Sequence, residues 1–258
     1  MSVRAPPLVK FPRTPHLAGS QLQPGDEDLP RVTLEASPDA RLVITEKVDG
    51  TNVGLRFDEA GRPWLQSRGH LLGNDPQFDL LKQSVHANAA ALFERLGTRW
   101  LVYGEWLYAR HTVFYDALPA YLLVFDALDL EAGAFLDTPG REALLAGLPL
   151  EPAPVLWSGP SQAAGELLRH LGPSRFRTPA WRAQLEAAAR RAGLDVARTL
   201  AQSDASDAME GLYFRLEAGG AVRARFKFVR GGFRQALADS ASHWASRPLL
   251  ANQLRPRP

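Results

Sequence analysis

Residues 41–52 read Arg41-Leu42-Val43-Ile44-Thr45-Glu46-Lys47-Val48-Asp49-Gly50-Thr51-Asn52. The first six form a short, mostly apolar run, the pattern of a buried strand. Asp49-Gly50 then marks a turn, since glycine reaches backbone angles that other residues avoid. Residues 52–57 alternate, Asp58-Glu59-Ala60-Gly61-Arg62 makes a second turn, and 63–67 return. The stretch reads as a strand leading into a hairpin, with the pattern Lys-x-Asp-Gly-x-Asn at one end.

Lys47 stands out against the rest of the chain. Of 30 lysines and arginines only Lys10, Lys47, Lys82 and Lys227 are lysine. The chain uses arginine wherever a plain positive charge suffices. Arginine keeps its proton in a protein and cannot serve as an amine nucleophile. Lysine can, once cationic neighbours or desolvation lower its pKa. A site that needs an amine is where the arginine bias should break. Taken alone, Lys47 is equally well an ordinary surface lysine before a turn.

With 258 residues, 45% hydrophobic and 22% charged, the chain can bury a substantial core. A formal net charge of +2 supports no global claim about polyanion binding. The distribution says more: after Gly220 the one acidic residue is Asp239, against many arginines. Such an end suits polyanion contact or is a solvated tail. The absence of cysteine excludes disulfides and thiolate metal sites. No apolar run has the length of a membrane span and no signal-peptide core opens the chain. A cytoplasmic, monomeric protein without membrane contact is the expectation.

Beyond the lysine stretch, residues 1–40 are rich in proline and charge and predict an extended N-terminal segment. Residues 78–96 carry helical spacing, with Leu81, Val85, Leu92, Phe93 and Leu96 on the apolar face. Residues 100–105 and 120–128 read as buried strands, and 161–171 and 180–193 as helices. A final hairpin is expected over 211–217 and 221–229, turning at Gly219-Gly220. The pattern is α+β with a mainly antiparallel sheet core. The expected organisation is a main domain over 41–235, with a helical segment at 140–200 that is a lid-like insertion or packs on the sheet. A basic tail, 236–258, follows, too short for an OB domain.

Candidate site residues recur along this frame. Ser67-Arg68 ends a returning strand, where an arginine can pair with phosphate through two parallel donors. Gly104-Glu105-Trp106 ends another, placing a carboxylate that suits ribose hydroxyls or a hydrated metal. Phe125 of Phe125-Asp126 can stack on a purine or pack in a core. Glu210-Gly211 precedes a strand. Arg225 and Lys227 lie two apart, hence on one strand face, where like charges repel unless an anion sits between them.

In order, Lys47-x-Asp49-Gly50-x-Asn52, Ser67-Arg68, Gly104-Glu105-Trp106, Phe125-Asp126, Glu210-Gly211 and Arg225-x-Lys227 resemble the nucleotidyltransferase motifs of covalent polynucleotide ligases and mRNA-capping enzymes. The run from Gly104 to His111, then Tyr115 to Tyr121, and Glu46 before the lysine, are similar specifically to the ATP-dependent RNA ligase family. The resemblance spans about residues 40–235. It implies a nucleotidyltransferase (ATP-grasp-like) fold of mainly antiparallel sheets flanked by helices. It implies ATP and Mg²⁺ or Mn²⁺ as cofactors, and RNA strands with 3′-hydroxyl and 5′-phosphate ends as partners. Lys47 would carry AMP. Asp49 and Gly50 would shape its turn, and Glu46 and Asn52 would help hold adenosine. Arg68 would touch phosphate or ribose, and Glu105 ribose or metal. Phe125 would stack on adenine with Tyr213 opposite. Glu210 would engage the metal, and Arg225 and Lys227 the α-phosphate. Arginine at 225 departs from the family's usual lysine. A DNA ligase, a guanylyltransferase or a non-catalytic nucleotide- or RNA-binding module are the competing readings.

Overall fold

The computed structural model describes residues 5–22, 26, 28–35, 37, 39–161, 164–233 and 247–256. The strands, in chain order, are β1 (His16–Leu17), β2 (Arg31–Val32), β3 (Arg41–Lys47), β4 (Thr51–Phe57), β5 (Pro63–Ser67) and β6 (Trp100–Trp106). They continue with β7 (Leu122–Asp129), β8 (Ala134–Phe135), β9 (Glu151–Pro152), β10 (Val155–Pro160), β11 (Gly211–Ala218) and β12 (Ala221–Val229). One sheet has the order β10-β3-β11-β12-β1-β2, and the other β5-β4-β6-β7-β8 with β9 beside β7. Pairing is antiparallel except where β1 meets β12 and β2, and where β9 meets β7. This is the α+β, mainly antiparallel architecture expected.

The lysine turn connects the two sheets. β3 sits inside the first sheet with Leu42, Val43 and Ile44 fully buried. β4 belongs to the second sheet, so residues 48–50 cross from one to the other. A Cβ on Gly50 would stand 2.6 Å from Trp106 O and 2.7 Å from Leu107 Cδ2, so no larger residue fits the crossing.

Helices α1 (Asp79–Ala87) and α2 (Ala89–Leu96) cover the second sheet. Their Leu81, Val85, Leu92 and Leu96 pack with Val53, Leu55 and Phe57 of β4. The spacing over 78–96 predicts one helical run. The chain instead breaks at Asn88, where φ is −113° and the side-chain amide donates to Ser84 O at 2.8 Å. An asparagine offering the backbone an alternative partner is a helix terminator.

Residues 140–200 hold more than helix. α3 (Thr138–Leu145), the one-turn α4 (Ala164–Leu167), α5 (Trp181–Arg191) and α6 (Val196–Ala201) flank β9 and β10. β10 pairs antiparallel with β3. Its Val155-Leu156-Trp157 run favours a strand because branched and aromatic side chains pack well on a pleated surface. Over 161–171 the described helix is α4 followed by a 3₁₀ turn at Leu168–His170.

Both chain ends carry pairings that the local sequence does not mark. The N-terminal segment adds β1 and β2 to a sheet edge, a parallel pairing that leaves almost no local pattern. Residues 247–256 bond to residues 108–118: Asn252 N–H donates to Tyr108 O and Gln253 N–H to Tyr115 O, each at 2.8 Å. Of the C-terminal arginines, Arg255 is exposed. Arg247 donates to His111 O at 3.1 Å and to Gln202 O at 2.9 Å. Arg230 is ion-paired to Asp204. Arg234 and Arg257 lie outside the described residues. Among the described residues no helix is long and apolar enough to cross a membrane.

Candidate active site

A cavity of about 450 Å³ opens between the sheets, a size suited to a small-molecule ligand. It is lined by Glu46, Lys47, Gly50, Asn52, Arg68, Glu105, Phe125, Tyr213 and Lys227, from six different strands and the loop after β5. Residues far apart in the chain meet here because the motif strands all run to this gap.

Pairing register explains the centre. β11 lies antiparallel to β3 with Gly211 opposite Lys47. Glu210 therefore sits beside the lysine, and Lys47 Nζ donates to Glu210 Oε1 at 2.6 Å. Gly211 is required there, since a Cβ would fall 1.9 Å from Phe228 O. Glu210 is 1% exposed, while the Lys47 side chain keeps 20% exposure.

Burial works to lower the Lys47 pKa, but Glu210 foremost, then Glu105 and Asp49, outweigh it and raise it. The amine is thus held as an ammonium by carboxylates, where a lysine with a lowered pKa was expected. Glu105 is pushed up to about 8 by burial, with Glu210 and Asp49 adding to the rise and Lys47 opposing it. Its Oε1 accepts the Gly50 amide at 3.2 Å.

Asp49 turns away from the cavity and braces its floor. Its Oδ2 accepts the amides of Thr112 at 2.7 Å and Val113 at 2.9 Å. Its own amide donates to the Tyr115 hydroxyl at 2.8 Å. The carboxylate of Glu46 is engaged too, accepting from Ser174 Oγ at 2.5 Å and the Arg175 amide at 2.9 Å. Glu46 ties residues 174–175 to β3, and burial pushes it up to about 7. Asn52 faces Glu105 across the β4/β6 pairing, and Arg68 is exposed at the rim.

Phe125 and Tyr213 meet with ring centroids 6.3 Å apart and planes at 42°. A planar base between them needs parallel rings roughly 7 Å apart, twice a carbon contact distance. The expected sandwich is therefore not open. Phe11 meets Phe125 edge-on at 5.2 Å, and both Phe11 and Thr14 line the cavity.

The two cations of β12 do not share one anion. Arg225 Nε donates to Asp126 Oδ2 at 2.9 Å, and its guanidinium lies 3.9 Å from the Phe135 ring centroid. It is not among the cavity's lining residues. Lys227 lines the cavity and pairs with Asp26. Repulsion along the strand is relieved by the protein's own carboxylates, one for each cation. Sequence reasoning missed Phe11, Thr14, His16, Asp26 and Tyr115. No motif marks the first four, which reach the site through the N-terminal segment; Tyr115 opens the 115–121 run of the family resemblance but was given no role of its own.

Among the described residues no group of three or more His, Cys, Asp or Glu is arranged to hold a metal ion. Three carboxylates, Glu210, Glu105 and Asp49, nonetheless act on a single ammonium. That excess of acid suits a hydrated divalent cation better than a protein cage.

No curated protein matches the chain. Among solved structures, Naegleria gruberi RNA ligase in a lysine-to-methionine variant with AMP and Mn overlays with a TM-score of 0.51 at 14% identity. That match covers 78% of this chain and 53% of that one. A lysine-to-alanine variant of the same ligase with ATP and Mn gives 0.51 at 14% identity, covering 92% and 64%. The chain spans about half the length of the first of these, and the likeness is one of fold. The RNA ligase family model matches residues 40–229, from the start of β3 to the last residue of β12, and the chain belongs to that family.

Proposed function

We propose that the protein is an ATP-dependent RNA ligase that seals 3′-hydroxyl and 5′-phosphate ends through AMP carried on Lys47. The observation that carries the reading is the Lys47 amine at the base of the inter-sheet cavity, 2.6 Å from Glu210, with an aromatic wall and Lys227 in the same cavity. Similarity of fold to a ligase solved with ATP or AMP and Mn supports ATP and a divalent ion as its requirements.

Lys47 attacks the α-phosphorus: an N–P bond forms, the P–O bond to pyrophosphate breaks, and the ammonium proton goes to Glu210. AMP then passes to a 5′-phosphate, and a 3′-hydroxyl displaces it to form the phosphodiester. All three are in-line substitutions, so the protein's work is positioning and charge neutralisation. Lys227 and Arg68 neutralise phosphate charge, and Phe125 supports the base. Glu210 and Glu105 would hold Mg²⁺ or Mn²⁺ through its water shell, and the ion supplies positive charge beside the phosphates.

Intact mass after incubation with ATP and Mg²⁺ tests this. One AMP is expected on Lys47, labile to acid and stable to alkali, and chelation of the metal abolishes it. Lys47→Ala and Lys47→Arg lose the adduct, because neither offers an amine that can be deprotonated. Full labelling of Lys47→Arg sinks the assignment, and a GMP adduct instead points to a guanylyltransferase.

A further inference from the structure

Lys227 takes its counter-ion from the N-terminal segment, outside all the motif strands. Its ammonium pairs with Asp26. Asp26 Oδ2 also accepts from His16 Nε2 at 3.1 Å, and Arg13 approaches Oδ1 at 3.5 Å. His16 Nδ1 lies 2.7 Å from Ser20 Oγ, and that oxygen accepts the Val229 amide at 2.9 Å. His16 and Lys227 are register partners of the parallel β1/β12 pair. His16 is 0% exposed, Asp26 7% and Lys227 8%.

The bonds fit one set of directions. An ionised carboxylate only accepts, so His16 Nε2 carries the hydrogen. In a neutral ring Nδ1 then accepts, so the single Ser20 hydroxyl hydrogen goes to it at 2.7 Å in preference to Gln21 O at 3.4 Å. Burial lowers the His16 pKa, with Lys227 and Lys47 adding to the effect and Asp26 opposing it, which keeps the ring neutral. Burial alone would raise Asp26. Its bonds from Lys227 and His16 prevail and hold it below the ordinary range, hence ionised.

We propose that Asp26 and His16 are positioning residues for Lys227, fixing its ammonium in the cavity so that it meets the phosphate of the bound nucleotide. The inference rests on the nucleotide reading of the cavity. Lysine carries a point charge on a flexible four-carbon stem. Lys47 and Arg68 face it as like charges, and without Asp26 they would favour its departure. An ammonium has three donors, so the bond to Asp26 leaves two for phosphate. The alternative role for Asp26 is a staple that merely fastens the N-terminal segment to β12.

The rate of AMP loading is measured for the wild type and for the Asp26→Asn, Asp26→Glu, Lys227→Ala and Asp26→Asn/Lys227→Ala variants, each with its Tm. Asp28→Asn, an exposed neighbour, is the control. Asp26→Asn is expected to load about tenfold more slowly, the scale of a misplaced charge contact. Its alkaline limb should move to lower pH, because Lys227 loses the carboxylate that raises its pKa against burial. Asp26→Glu should recover part of the rate, and the double variant should be no slower than Lys227→Ala alone. Wild-type loading by Asp26→Asn, an unmoved limb, or losses that multiply in the double variant overturn the proposal.

If Asp26→Asn does not fold, or the wild type takes no AMP, lysine-labelled NMR decides separately. Four lysines give a readable spectrum, with Lys227 identified by its loss in Lys227→Ala. Its signal should titrate below the ordinary lysine value and shift in Asp26→Glu. A signal that titrates at the ordinary lysine value and ignores Asp26→Glu overturns the proposal. Failure of the wild type to load AMP counts against the nucleotide reading alone.

Discussion

Glu46 shows what burial does to a motif residue. Its folded pKa is about 7 against 4.5 for the free group, so the folded protein binds its proton more tightly than the unfolded chain does. The stabilisation this brings is complete below about 4.5 and is lost as pH rises towards 7. Glu46→Gln keeps an acceptor for the Arg175 amide and has no charge to bury. The variant is expected to gain stability over the wild type between about pH 5 and 8, by about 3 kcal/mol at the upper end. Parallel curves of Tm against pH for the two proteins would show that Glu46 is not the titrating group. At Phe125, alanine should weaken AMP loading by about 1–3 kcal/mol, the worth of base–aromatic stacking, and leucine should retain more. Normal loading with early melting in both variants would make Phe125 a packing residue only. At this scale the identity of Lys47 was legible, because its chemistry is local. Its raised pKa was not, because Glu210 reaches it through a strand pairing 163 residues away.

Among elements, the turn at 48–50 and the segment at 247–256 act on one another through residues 108–118. Asp49 holds that segment from one side, and Leu250, Asn252 and Gln253 hold it from the other by backbone hydrogen bonds. Ending the chain at residue 246 removes this brace. The expected loss is about 3–5 kcal/mol at roughly 1 kcal/mol for each hydrogen bond, together with slower AMP loading. Unchanged loading by the shortened protein would return 247–256 to the role of a strand-binding tail. β3, β4, β5, β6, β7 and the β11/β12 hairpin were legible within a few residues, since alternation and turn residues mark a strand from within. Gly219 and Gly220, with φ of +59° and +76°, sit at the hairpin turn as expected. β1, β2 and β10 were not legible. The first two span two residues each, and β10 is a short run bounded by Pro154 and Pro160 inside a segment expected to be helical.

For the whole molecule, strand recognition by the proposed ligase would draw on exposed groups. Arg230 and Arg247 are engaged inside the protein, while Arg175 is exposed; its guanidinium spends one donor on Val155 O at 3.3 Å, and its amide is bonded to a cavity residue, Glu46. Sealing should fall with salt more steeply than AMP loading, because only sealing depends on several phosphate contacts. Arg175→Ala should reduce the salt slope of sealing by about one and leave loading near normal. An unaltered slope would remove Arg175 from the strand path. Ends bearing ribose on the 3′-hydroxyl side should be sealed much better than all-deoxy ends, since the 2′-hydroxyl is what separates RNA from DNA at one site. Equal sealing of an all-DNA nick would overturn the RNA preference and leave the Lys47 chemistry standing.

The linear chain by itself determined the α+β class, the motif order and the cavity membership of Lys47, Glu105, Phe125 and Lys227, because short-range patterning and residue chemistry carry those properties. Tertiary structure alone decided who faces whom. It placed Glu210 on Lys47, gave Arg225 to Asp126 and Lys227 to Asp26, and brought Phe11 and Thr14 to a site their local sequence does not announce. Charge pairing depends on distance in space and on exclusion of water, and neither follows from spacing along the chain.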